Sequence, residues 1–186
     1  KQVDYLPLYA QDEQGYDNLC HLVSRAHLER PLEFEPHVRL TDLDGHTGGL
    51  IAFSGASEGA LTKLLAEGQQ SHAEILLQKL QELFPERLYI ELARRGNEVE
   101  ERAEASLVEL AYGRDLPLVA TNPANFAEPH MHKAHDAMLC IAGSTHIDAD
   151  ERAKSNPESY VQTYHMMDDA FDDLPEAVQK TLVVAQ

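Results

Sequence analysis

The run Leu116-Pro117-Leu118-Val119-Ala120-Thr121-Asn122-Pro123-Ala124-Asn125-Phe126 occupies the kind of place where α/β proteins do chemistry. A short apolar stretch, Leu118 to Ala120, passes into polar Thr121-Asn122 and then a proline. That is the pattern of a buried parallel strand whose carboxyl end opens into a loop, and that end of the strand is where α/β folds carry their sites. The loop is well placed for a metal, yet it offers Pro123 and Asn125 and neither an acid nor a histidine. A denser set of metal-ligand types follows in His130, His132, His135 and Asp136. Residues 132 and 135 nearly share a helix face. Against a metal centre, Pro129 puts His130 and His132 in a first helical turn, usually an exposed place, and the acid–histidine spacing of HExxH is absent. These three histidines are expected to hold at most an adventitious surface metal, and His135 with Asp136 is as well suited to anchoring the helix.

Two other strand ends merit the same weighing. Tyr89 to Leu92 leads into Arg94-Arg95-Gly96. Paired arginines there can hold a phosphate, but Glu98, Glu100 and Glu101 lie just downstream and favour ion pairs. Glu91, inside an apolar strand, fits a buried ligand or the solvated face of an alternating strand equally well. Gly55-Ala56-Ser57-Glu58-Gly59 is a small-residue turn between a strand and a helix, a place that can cradle phosphate. It lacks the Gly-Lys-Ser/Thr ending of a P-loop, so a tight turn with a helix cap is the expected role. No dinucleotide fingerprint occurs, and no catalytic residue is assigned.

The elements that must position these residues alternate in type. Apolar runs predict strands near residues 5–9, 50–54, 88–92 and 118–121. Three- and four-residue spacing of Tyr16, Leu19, Leu22, Val23 and Ala26 predicts a helix over 12–29. Residues 31–49 read as irregular, with Gly48-Gly49 as a breaker. Further helices are expected over 58–67, from a capping box at Ser71-His72-Ala73-Glu74 to about Phe84, and from an Asn97 cap to Gly113-Arg114. Beyond the fourth strand the pattern is helical over 129–142, has a short turn or helix at Pro157, and resumes over 177–185 behind Pro175. Strand–helix alternation implies an α/β fold with a mainly parallel sheet.

The chain has 186 residues, 43% of them hydrophobic, enough for a packed core. No apolar run approaches the roughly 18 residues of a membrane span, so no membrane role is expected. The formal net charge of −17 opposes phosphate backbones and suits a basic partner. Cys20 and Cys140 sit among apolar neighbours without CxxC spacing, which predicts two buried free thiols and a cytoplasmic setting. The chain opens almost directly on a strand, without an initiator Met, and four strands cannot close an eight-stranded barrel, so a fragment of something longer is expected.

Several stretches, in order, carry a family resemblance. They are Glu13-Gln14-Gly15-Tyr16-Asp17-Asn18-Leu19 with Leu22-Val23-Ser24-Arg25-Ala26, Gly49 to Gly55, Leu83-Phe84-Pro85-Glu86-Arg87 running on to Leu92, Leu116 to Asn122, Ala134-His135-Asp136 running on to Ala142, and Phe171-Asp172-Asp173-Leu174-Pro175-Glu176-Ala177. Together they resemble the PHP (polymerase and histidinol phosphatase) domain of bacterial DNA polymerase III alpha subunits. The resemblance implies an incomplete, distorted β/α barrel over residues 1–186 that lacks its first strands. It also implies that the helical part over about 157–186 leads towards a palm domain carrying the polymerase's catalytic carboxylates.

The same resemblance bears on the metal site. Relatives that bind a metal cluster, and act as phosphoesterases or proofreading 3'-5' exonucleases, carry histidine where this chain has Arg95 before Gly96. They carry Asp-x-His after Thr-Asn, where this chain has Pro123-Ala124-Asn125. Proline offers no side-chain ligand and arginine is a cation at any working pH. A degenerate site at Arg95, Pro123 and Asn125 is therefore expected, with no cofactor in this part and Mg2+ needed only by the full-length polymerase. By the same resemblance the partners are the epsilon proofreading exonuclease and other holoenzyme subunits, and DNA is bound by the full-length protein alone.

Overall fold

A computed structural model describes residues 3–29 and 33–186. Four strands form one open sheet in the order β1-β2-β3-β4: β1 Leu8–Ala10, β2 Leu50–Phe53, β3 Leu88–Leu92 and β4 Leu118–Ala120. β2, β3 and β4 run parallel, with Ala52 opposite Leu88 and Leu92 opposite Ala120. β1 pairs antiparallel with β2, Leu8 opposite Ala52. The sheet is thus mainly parallel as expected, with its antiparallel member at one edge. The regular part of β1 begins later than residue 5 because Pro7 has no N–H for the ladder; its carbonyl still accepts from the Phe53 N–H at 3.0 Å.

Seven helices are described: α1 Glu13–Leu28, α2 Ala60–Ala66, α3 Gln70–Leu83, α4 Glu98–Gly113, α5 His132–Ala142, α6 Tyr164–Ala170 and α7 Pro175–Val184. Their ends follow local chemistry. Asp12 caps α1, its Oδ1 accepting from the Gly15 N–H at 2.8 Å, and Asn97 caps α4, its Oδ1 accepting from the Val99 N–H at 2.9 Å. Pro175 opens α7 at its first turn, where a missing N–H costs nothing. The capping box expected at Ser71 does not form: α3 starts one residue earlier, after Gln69 at φ −86° and ψ 55°, which leaves Ser71 inside the helix. The stretch read as irregular before Gly49 contains a 3-10 turn at Leu40–Leu43; residues 31 and 32 lie outside the described residues. α6 was not expected. It is two turns long, and Thr163 Oγ1 caps it by accepting from the Met166 N–H at 3.3 Å.

The alternation of side chains along β2, β3 and β4 divides the sheet into two faces. One face carries Leu50, Ala52, Leu88, Ile90, Leu92, Leu118 and Ala120, all packed against Leu22, Leu61, Leu77, Leu107 and Val178 of the helices. Removing one leucine of this set from water contributes about 1.5–3 kcal/mol. The opposite face carries Ile51, Phe53 and Val119 with Tyr89 and the end of α7 at Val184. α1 comes so close to the second strand's lead-in that a Cβ on Gly15 would stand 1.8 Å from the Gly49 carbonyl oxygen. Gly49 itself sits at φ +67°, a region that suits glycine.

Candidate functional site

The carboxyl ends of β2, β3 and β4 converge on a buried polar group. Ser54 follows β2, Glu91 lies in β3 and Thr121 follows β4. Glu91 is 5% exposed, so the solvated-face alternative is wrong: the second sheet face is closed by Phe53, Tyr89 and Val119 rather than wetted. Its backbone N–H donates to Ser54 Oγ at 2.9 Å, and its Oε1 accepts from Thr121 Oγ1 at 2.6 Å. Its Oε2 has no hydrogen-bond partner among the described residues. Burial raises the Glu91 carboxyl above the ordinary carboxylate range, opposed by the Thr121 hydrogen bond and the nearby Arg95 charge.

Arg95 sits above this group in the loop after β3. Its side chain is 11% exposed and forms a close ion pair with Glu100, itself 5% exposed in the first turn of α4. The guanidinium also donates to Ser57 Oγ at 3.1 Å, within the small-residue turn after β2. The Arg95 carbonyl accepts from Asn156 Nδ2 at 3.0 Å. Gly55, at φ +79°, gives that turn its sharpness, and Thr62 Oγ1 closes it by donating to the Gly55 carbonyl at 2.8 Å. The turn is therefore engaged by its own helix and by Arg95.

Arg94 is turned elsewhere. It pairs with Glu104 and with Asp173, donates to the Ala170 carbonyl at 2.6 Å, and lies over the Phe171 ring at 4.5 Å from the centroid. The expected ion pairing of these arginines holds, but for Arg94 the acids are Glu104 and Asp173 rather than the nearer Glu98 and Glu101.

Pro123 and Asn125 follow β4 in the same region. The Asn125 N–H donates to the Ser159 carbonyl at 2.8 Å, and Phe126 makes a lone parallel bridge with Tyr160. The loop is thereby tied to the chain's last third. The histidine cluster lies beyond it and is put to a mechanical use. His130 is exposed beside Glu128. The Nε2 of His132 donates to the Ser155 carbonyl at 3.0 Å, and the Nδ1 of His135 lies 2.7 Å from Ser155 Oγ. Asp136 takes both arms of Arg152 at 2.7 Å and the Ser155 N–H at 2.9 Å. The Arg152 hydrogen bonds hold the Asp136 carboxyl well below the usual range. The anchoring expected of His135 and Asp136 is thus directed to residues 152–155. Among the described residues no three His, Cys, Asp or Glu side chains come together in a way that could hold a metal ion.

Of the two thiols expected to be buried, only Cys140 is; Cys20 is exposed. The face of α1 turned inward carries Gly15 and Leu22, and Cys20 falls outside it. No described helix is long and apolar enough to cross a membrane.

Comparison with known proteins agrees with this geometry. A family model described as "PHP domain" matches residues 2–95, about half of the chain. The chain is 40% identical over 181 residues to a DNA polymerase III subunit alpha of Caulobacter vibrioides, 34% identical over 182 residues to that of Pseudomonas aeruginosa and 33% identical over 179 residues to that of Rickettsia bellii. These alignments cover 97%, 97% and 96% of the chain but only 16%, 16% and 15% of the relatives. With a mainly parallel sheet whose polar groups gather at the strands' carboxyl ends, and with half its length matched directly, this chain belongs to the PHP domain family.

Proposed function

We propose that this chain is the PHP portion of the alpha subunit of a bacterial DNA polymerase III, and that it serves as a non-catalytic scaffold and partner-docking domain. The observation that carries the reading is Arg95. A cation in a buried pair with Glu100 stands where the resemblance would place a metal-binding histidine. Pro123 and Asn125 supply no acid or imidazole at the neighbouring strand end, so the donor set does not fit the metal cluster of hydrolytic PHP domains. The phosphoesterase or proofreading-exonuclease alternative loses its chemistry with those ligands.

Polymerisation, in this reading, belongs to the rest of a cytoplasmic protein, with Mg2+ at carboxylates outside this chain. The partners are the epsilon exonuclease subunit and other holoenzyme subunits. The net charge of −17 supports protein contact over DNA contact by this portion. Exposed apolar side chains such as Met138, Ile141 and Leu182 offer contact area of the right kind.

The test uses the intact alpha subunit. Charged substitutions at exposed PHP positions are expected to weaken epsilon binding while leaving incorporation on a primed template nearly unchanged. Intact epsilon binding together with lost incorporation across such a panel would contradict docking and point to a part in polymerisation. The isolated domain is expected to show no binding to short DNA at moderate salt.

A further inference from the structure

We infer that the outer face of α5 is a self-association surface, on which a second copy of this chain docks its own α5 in the opposite direction.

Helical spacing builds the face. His132, Asp136 and Cys140 point towards the body, where the first two hold Ser155 and Arg152 and the third is buried. On the other side, three and four residues apart, stand Met131, Ala134, Met138 and Ile141. All four are exposed, Met138 by 64% and Ile141 by 79%. This 3-4-3 spacing is that of a helix–helix seam. Ala137 and Ala142, also exposed, leave room beside it for a second backbone to approach. Lys133 is the one exposed charge of the helix. The bonds to Ser155 and Arg152 fix α5 in place, so the stripe loses little freedom on docking.

The charges around the stripe say what covers it. The chain leaving α5 doubles back along the helix. The Thr145 N–H donates to the Cys140 carbonyl at 2.9 Å, Arg152 meets Asp136, and Ser155 lies against His132 and His135. Asp148, Asp150 and Glu151 are thereby placed towards the carboxyl end of α5, while Lys154 joins Lys133 towards its amino end. All five are exposed, and none has an ion-pair partner among the described residues. The surface is basic at one end and acidic at the other. Two copies laid side by side in the same direction would set like charges together. Reversed about a two-fold axis near Met138, each basic end meets the acidic end of the other copy. A stripe that complements itself when reversed favours a second copy over an unrelated helix.

Sedimentation of the 186-residue chain at low salt tests this. The average mass is expected to rise with concentration from one chain towards two. Met138→Glu/Ile141→Glu is expected to weaken association about tenfold or more, with Tm unchanged because both side chains are exposed. Lys133→Glu and Asp148→Lys/Asp150→Lys are each expected to weaken it as well. An equimolar mixture of these two variants is expected to recover pairing as a heterodimer, since each reversed charge then faces its opposite. Should the seam variant fold poorly, the mixing experiment still decides. Association unaffected by the seam substitutions, or no recovery on mixing, overturns the reversed pairing. A chain that stays monomeric at every concentration also overturns it. Loss of epsilon binding by the intact alpha subunit on Met138→Glu/Ile141→Glu would then give the face to that partner instead.

Discussion

Arg94 Nη1 and Nη2 meet the two carboxylate oxygens of Asp173 at 2.6 and 2.9 Å, joining the end of β3 to the lead-in of α7 across 79 positions of sequence. The same guanidinium holds Glu104 of α4 and the Ala170 carbonyl, and covers the Phe171 ring, which is 1% exposed. One side chain therefore fastens the helical last segment onto the sheet.

Arg94→Ala should release that segment. Loss of several charge-assisted hydrogen bonds and of the ring contact, discounted for the solvent that still reaches the pair, gives a destabilisation of about 1–2 kcal/mol. Urea unfolding measures it. Arg94→Lys should recover less than half, since an ammonium cannot bridge two carboxylates and a carbonyl with a planar fork. Full recovery by lysine would show that charge alone matters here.

Asp136 should govern the segment after α5. It holds Arg152 and the Ser155 N–H, and Lys154 between them is exposed. Asp136→Asn should speed tryptic cleavage at Lys154 several-fold while leaving cleavage within α3 and α4 unchanged. Because the folded-state carboxyl is depressed below its unfolded value, its contribution is present above about pH 4 and is lost only as pH falls through the lower, folded-state value. The unsubstituted chain should therefore keep its slow cleavage from neutral pH down to pH 5, when assayed with a protease active across that range.

Glu91 gives a pH dependence of the opposite sign. Burial raises its folded-state value, so the folded chain gains from the protonated form. That gain is fully present below about pH 4.3 and is lost as pH rises through the raised value. Glu91→Gln is neutral throughout. The Tm of the variant relative to the parent should therefore rise between pH 4 and pH 8, by a few degrees at most. A difference that is flat over that range would show that burial does not perturb this carboxyl.

Much of the fold was legible because its signals are local. The apolar runs at 50–53, 88–92 and 118–120, the Asn97 cap, and Pro175 at a helix start each act within a few residues. One feature was left open and two were misread where local pattern is ambiguous. Strand alternation at Glu91 says which face a side chain takes but not whether that face is wet. The apolar neighbours of Cys20 in sequence lie on a different side of α1. Ser71 lost its capping role because the helix began one residue before it. The site was legible only as a set of positions. Arg95, Pro123 and Asn125 are conspicuous at strand ends, but the pairing of Arg95 with Glu100 over Glu98 depends on the turn between β3 and α4. The Arg94–Asp173 and Asp136–Arg152 contacts depend on tertiary packing, which no spacing rule encodes.

This PHP domain is expected to work without a metal cluster, because Arg95, Pro123 and Asn125 cannot supply one. Elemental analysis of the chain purified without a histidine tag, paired with a phosphodiester hydrolysis assay with and without chelator, tests it most directly. Well under one zinc, manganese or iron per chain and no chelator-sensitive hydrolysis are expected; a single weak surface metal removed by His130→Ala/His132→Ala would be compatible. Stoichiometric metal that survives those substitutions, together with hydrolysis abolished by chelator, would contradict it.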